Sequence, residues 1–192
     1  MLLTKKAWCL VSRKAHQQLI SNGSLTLGKE TLEQDKTSFL HIFPNQYNFM
    51  KRSMISRNLH PVNTNDFPLW MWTTYNGVAG GKPTIIGETG FLLELSVPED
   101  KILESSFAMW EAALNNANLN KNYLDDSSST QDEIEQSWCE VFNLSAKNDY
   151  TDVSVADRCI QATIWEIKKE YITSSTEISE SLPYSPQIQL NQ

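Results

Sequence analysis

The chain has 192 residues, 40 % of them apolar and 20 % charged, which suits one domain with a core and excludes a wholly disordered tail. No apolar run approaches the roughly 20 residues of a membrane span. A net charge of −7 argues against a broad phosphate-gripping face.

Residues 7–11 are apolar and read as a first strand. Ser12 sits where an N-cap belongs, Ala15, Leu19 and Ile20 follow at helical spacing, and Asn22-Gly23 closes the helix. Residues 24–27 suit a short second strand, and 28–36 a polar loop. The clearest long helical region is 38–59, where Tyr47, Met50, Met54 and Ile55 recur at three and four residues. Pro44 cannot sit inside it without a kink, so the main helix is expected to begin there, with 39–43 as a turn in front. Residues 60–66 break the chain.

Residues 68–74, rich in aromatics and threonine, read as a strand. The glycines of 77–90 read as a flexible connection. Residues 91–97 form the next strand, with Phe91, Leu93, Leu95 and Val97 on one face. Ile102-Leu103 adds a short strand, and Ser105 or Ser106 caps a helix carrying Phe107, Trp110, Ala113 and Leu114. Residues 115–131 read as an exposed loop, 133–144 as a helix and 159–167 as one β-favouring strand. The tail, 173–192, has too little apolar content for a core element and is expected to fray. This order is not a βαβ alternation, so it points to a single α+β domain over 1–172 with a mostly antiparallel sheet.

Three cysteines, Cys9, Cys139 and Cys159, cannot form a closed disulfide set, and no C-x-x-C pair occurs. The N-terminus lacks a signal-peptide pattern. A cytoplasmic protein with reduced thiols is expected, without a membrane partner. The histidines, His16, His41 and His60, have no metal-ligand spacing, so no metal site is expected.

Few constellations carry chemistry. There is no P-loop, G-x-G-x-x-G or G-x-S-x-G. Arg52 and Arg57 lie beside Lys51 on the long helix, and a guanidinium fork suits a diphosphate. Arg13 follows the first strand at a helix N-terminus, another anion-friendly place. For all of them a solvated surface is the plainer reading. Trp70 and Trp72 share a strand face and can sandwich a planar ring such as nicotinamide or adenine, although a core stripe explains them as well. Gln161 and Glu166 have opposite parity on the last strand. Whichever points inward needs a partner or a ligand.

Several of these stretches together resemble an uncharacterised microbial family, domain-of-unknown-function family 3841. They are the Trp8-centred strand, Met50-Lys-Arg-Ser-Met54 with Arg57, Pro68-Leu-Trp-Met-Trp72, Ile102 to Phe107 with Trp110, Ser137 to Leu144, and Gln161 to Ile167. The resemblance spans about residues 7–172. The order of elements is also similar to small bacterial ADP-ribosyltransferases, including toxins that modify nucleic acids.

That second resemblance implies an ADP-ribosyltransferase-like split sheet and cleavage of the NAD glycosidic bond. Gln161 or Glu166 would be catalytic, stabilising the positive charge that develops on the ribose. Arg13, Arg52 and Arg57 would hold the diphosphate and Trp70 or Trp72 the nicotinamide. The acceptor is an unspecified macromolecule, and an antitoxin or other partner protein is implied, as for a toxin or phage-conflict effector. The first strand departs from the pattern, with no Arg or His where those enzymes hold NAD. The rival expectation is a non-catalytic inhibitor or adaptor that docks through exposed aromatics.

Overall fold

The computed structural model describes residues 3–28, 42–84, 88–121, 129–145 and 158–179. Its main sheet has seven strands in the order β6-β7-β3-β1-β5-β9, with β4 paired to β3. These are β1 (Thr4–Val11), β3 (Leu69–Tyr75), β4 (Val78–Ala79), β5 (Gly90–Pro98), β6 (Leu103–Ser106), β7 (Ile160–Ile164) and β9 (Ile172–Ile178). A second sheet pairs β2 (Ser24–Thr26) with β8 (Glu166–Lys168). Every pairing between these strands is antiparallel.

The described residues also hold the helices α1 (Arg13–Asn22), α2 (Pro44–Ser56), α3 (Phe107–Leu114) and α4 (Gln131–Ser137). The expected α+β class with an antiparallel sheet is met. Nothing in the strand arrangement is specific to ADP-ribosyltransferases.

Local chemistry sets the helix ends. The Ser12 hydroxyl accepts from the Ala15 N–H, and Gly23, with φ +82°, returns its N–H to the Leu19 carbonyl. Pro44 occupies the first turn of α2, where a missing N–H costs nothing. Of the two candidate serines, Ser106 caps α3 by accepting from Met109. Thr130 and Glu133 form a reciprocal capping box on α4.

The sheet divides the core in two. Side chains paired across antiparallel strands share a face. One face carries Ala7, Cys9, Met71, Leu93, Leu95, Ala162 and Ile164, packed under Leu19 of α1 with Leu25 and Ile167 of the small sheet. On the other face Trp70 and Leu103 pack against Met50 of α2, Trp110 of α3, and Trp138 in the 3-10 turn after α4. Cys9 lies in the first core and donates its thiol to the Trp70 carbonyl at 3.2 Å.

Burial pushes the Cys9 thiol from 9.0 up to about 12. It pushes the Tyr47 phenol from 10.0 to about 12 as well. Both groups ionise more readily in the unfolded chain. Their contribution to stability is therefore complete below the unfolded values and falls as pH rises toward 12. Urea midpoints near neutrality and midway through that alkaline window should show the loss, and Cys9→Ala should reduce it, leaving the share of Tyr47. A midpoint unchanged across the window would contradict this burial.

Several expectations need correction. The first strand starts at Thr4, three residues before the apolar run, because the backbone ladder to β5 continues past Ala7 to pair Thr4 with Pro98. Within 77–90, Val78–Ala79 forms a hairpin with β3, and residues 85–87 lie outside the described ones.

In 115–131, Ala117, Asn118 and Leu119 are buried and not exposed. The Leu119 N–H donates to the buried Ser137 hydroxyl at 2.9 Å, so this stretch is tied to α4. The helix expected over 133–144 is α4 followed by a 3-10 turn, Trp138–Phe142. The strand expected over 159–167 breaks at Trp165 into β7 and β8, which belong to different sheets.

The tail expected to fray from Thr173 begins with β9, paired to β5. An edge strand is held by backbone bonds and needs little apolar surface of its own. Residues 180–192 lie outside the described ones, as does most of the 28–36 loop.

Candidate functional site

The break at Trp165 builds a cleft. Trp165 is 4 % exposed, and its indole N–H donates to the Leu59 carbonyl at 3.0 Å. That bond pins the turn after α2, where Asn58, with φ +61°, takes the chain out of the helix. The residues after Trp165 leave the main sheet for the small one. A 3-10 turn, Glu99–Lys101, follows β5, and a second, Lys169–Tyr171, follows β8.

Together these segments wall a cleft of about 240 Å³. Among the residues that line it are Asp100, Glu166, Lys101, Lys168, His60 and Tyr171. Burial first, then the nearby carboxylates of Glu170, Glu166 and Asp100, pushes the Tyr171 phenol up, with Lys101 pulling the other way. Tyr171 therefore stays a hydrogen-bond donor at neutral pH. The set offers acceptors for hydroxyls or a cation and donors for an anion.

The expected site residues are distributed unevenly. Glu166 is half-buried and lines the cleft. Gln161, Trp72 and Trp8 stand side by side across β7, β3 and β1 on the sheet face away from α1. Trp70 lies on the same face, with its ring 4.9 Å from that of Trp110. Trp72 packs against Phe107 at 4.7 Å and Tyr75 at 5.8 Å. Both rings are half-buried in packing, and neither lines the cleft at Glu166.

The arginines lie elsewhere. Arg13 is ion-paired with Glu177 of β9. Arg57 sits 4.3 Å over the Phe142 ring and donates to the Ser53 carbonyl. Arg52 is exposed on α2. Lys51, beside them on α2, donates to the carbonyls of Thr64 and Asp66.

Gln161 is 5 % exposed, and its Nε2 has no partner. Its cross-strand neighbour Ser105 also has an unpartnered hydroxyl. Burying an amide without a bond costs roughly 1–3 kcal/mol. Gln161→Met should therefore raise stability by about 1 kcal/mol in urea unfolding, since methionine keeps the volume and drops the amide. A loss of stability would mean that the carboxamide is satisfied in the folded chain.

Sequence reasoning missed Asp100, Lys101, Lys168, Tyr171 and His60 as a group. The available signals were small: a helix ending in Arg57-Asn58, and Pro98 closing a strand before Glu99 and Asp100. The tryptophans give no exposed aromatic patch, since Trp8, Trp110, Trp138 and Trp165 are buried and the other two are half-buried.

Among the described residues no group of His, Cys, Asp and Glu can hold a metal ion. Cys9 and Cys139 are free thiols, and the Cys159 sulfur accepts from the Asn76 N–H at 3.5 Å. No helix among the described residues is long and apolar enough to cross a membrane. No curated protein and no solved structure matches the chain, so the comparisons lend no support to the ADP-ribosyltransferase resemblance. A family model described as a domain of unknown function (DUF3841) matches residues 7–131, and the chain belongs to that family.

Proposed function

We propose that this domain is an NAD-dependent mono-ADP-ribosyltransferase working in the Glu166 cleft. The observation that carries the reading is the meeting of Glu166 with Tyr171, Lys101 and Lys168 in one cleft. A volume of about 240 Å³ is smaller than a drug-sized pocket of roughly 300–1,000 Å³. It suits one nucleoside half of NAD, with the diphosphate at the lysine rim.

In this reading Glu166 faces the nicotinamide ribose. The bond from ribose C1′ to nicotinamide breaks, and nicotinamide leaves with the electron pair. The acceptor's nucleophile then bonds to C1′ and releases its proton to solvent. Glu166 stabilises the positive charge that builds on the ribose between these events. The diphosphate role passes from Arg13, Arg52 and Arg57 to Lys101 and Lys168, because only the lysines line the cleft. Gln161 is left without a catalytic part.

A cytoplasmic toxin or phage-conflict effector with a protein or nucleic-acid acceptor and a dedicated antitoxin is the setting that this chemistry suits. Of the tryptophans that the adaptor reading takes as interface anchors, Trp8, Trp110, Trp138 and Trp165 are buried.

Labelled NAD incubated with the protein and cell lysate tests the proposal. Label transfer and nicotinamide release are expected, and Glu166→Gln should abolish both while calorimetry still detects NAD. Absence of transfer, release and NAD binding would sink the idea.

A further inference from the structure

We infer that Ser175 is an activated nucleophile, that His16 is its general base, and that the pair cleaves carboxylic esters. These groups lie apart from the lining of the Glu166 cleft, and the inference does not rest on the NAD reading.

His16 and Ser175 are 159 residues apart in the chain. Antiparallel pairing puts Ser175 opposite Leu93 and Glu177 opposite Phe91, so both side chains stand on the α1 side of the sheet. There the His16 Nε2 lies 3.2 Å from the Ser175 hydroxyl oxygen. That separation is within reach of proton transfer. Two features hold the imidazole in place. Its ring stacks on Phe91, with centroids 3.8 Å apart and planes 8° from parallel. One turn earlier on α1, Arg13 is ion-paired with Glu177, which ties the helix to the same strand. A serine is activated where a base meets it and a further group orients that base. Every side chain from Thr173 to Glu177 is exposed, so a substrate reaches Ser175 from solvent.

With the imidazole protonated at Nδ1, Nε2 takes the Ser175 hydroxyl proton as Oγ bonds to the ester carbonyl carbon. The carbonyl oxygen gains a negative charge. Arg13, one turn from His16, offers a cation with N–H donors beyond the one on Glu177. The bond from carbon to the leaving oxygen then breaks, and that oxygen takes the proton from His16. Water reverses the acylation. Its proton goes to His16, its oxygen bonds to the acyl carbon, and Oγ leaves and regains the proton. The products are an acid and an alcohol.

Incubating the full chain with a fluorophosphonate probe, followed by peptide mass spectrometry, tests the inference. Oγ bonds to phosphorus, fluoride leaves with the electron pair, and the proton passes through His16 to solvent. The adduct should form on Ser175 and not on Ser174, which pairs with Glu94 and stands on the opposite face. His16→Phe keeps a ring to stack on Phe91 and removes the base. It should slow labelling by about a hundredfold, the low end for general base catalysis. His16→Gln keeps a hydrogen-bonding group beside Ser175 and should be slowed as much. The parent should cleave p-nitrophenyl acetate, and Ser175→Ala, a change at an exposed strand position, should lose most of that activity. No adduct on Ser175, labelling of Ser174 at the same rate, labelling unaffected by either His16 variant, or full ester cleavage in Ser175→Ala would overturn the inference.

Discussion

Replacing Trp138 with alanine should lower the unfolding free energy by about 4 kcal/mol, the usual range for losing a fully buried aromatic. Trp138 is 0 % exposed. Its ring meets Phe49 edge-on at 5.7 Å and lies in the cluster with Met50, Met109, Trp110 and Val141. That cluster joins three helices to the sheet, and alanine would leave a hole that backbone held by α2 and α3 cannot fill.

The indole of Trp138 has no hydrogen-bond partner. Trp138→Phe should therefore be much milder, because it removes volume and an unpaired donor together. Trp165→Phe makes the contrast, since it removes an indole bonded to Leu59. Urea unfolding of the three variants checks the order. Equal losses for Trp138→Phe and Trp138→Ala would contradict it.

Gly90→Ala should be about as damaging, near 4 kcal/mol, for a different reason. Gly90 has φ +144°, and a Cβ built there would sit 2.3 Å from the Val11 carbonyl oxygen. The obstacle is backbone, so no side chain can swing aside. Val11 pairs with Phe91 at the same place, so the clash would push apart β1 and β5, the most extensively paired strands in the sheet.

Gly23 is the control. It also has positive φ, +82°, but a Cβ there meets nothing within 4 Å. Gly23→Ala should cost only about 1 kcal/mol, the strain of a left-handed alanine. Paired melts would show whether close approach or backbone angle dominates at Gly90. Similar losses in the two variants would count against the close approach.

Legibility in the sequence tracked the range of the interactions. Caps and breakers act within a few residues, so Ser12, Gly23, Pro44 and Ser106 could be read directly. Strands β3 and β5 were legible because their aromatic and aliphatic runs match a half-buried pleat. β9 was not, since its stability lies in bonds to β5, and the run Thr173 to Glu177 has no apolar side chain to announce it. The split at Trp165 was hidden for a related reason. Gln161 to Ile167 has no turn or breaker residue, and only the partners, β3 on one side and β2 on the other, show that it serves two sheets.

The candidate site was legible in one residue, Glu166. Its companions come from the turns at 58–62, 99–101 and 169–171 and, for Lys168, from the end of β8, each unremarkable alone. Their meeting is a product of topology and has no local pattern. The arginines were chosen for their chemistry, yet Arg13 is taken up by Glu177 and Arg57 by Phe142. Trp70 and Trp72 do share a face with Gln161, as their spacing implied. That face is packed beneath α3 and carries core.

The tryptophans also supply the most direct test of the NAD cleft. Each indole N–H gives its own signal in a proton–nitrogen correlation spectrum, and Trp-to-Phe variants assign them. On titration with NAD, the Trp165 signal should shift and saturate while those of Trp110 and Trp138 stay in place. Shifts at Trp70 and Trp72 with Trp165 unmoved, or no shift at all at high NAD, would contradict a nucleotide site beside Glu166.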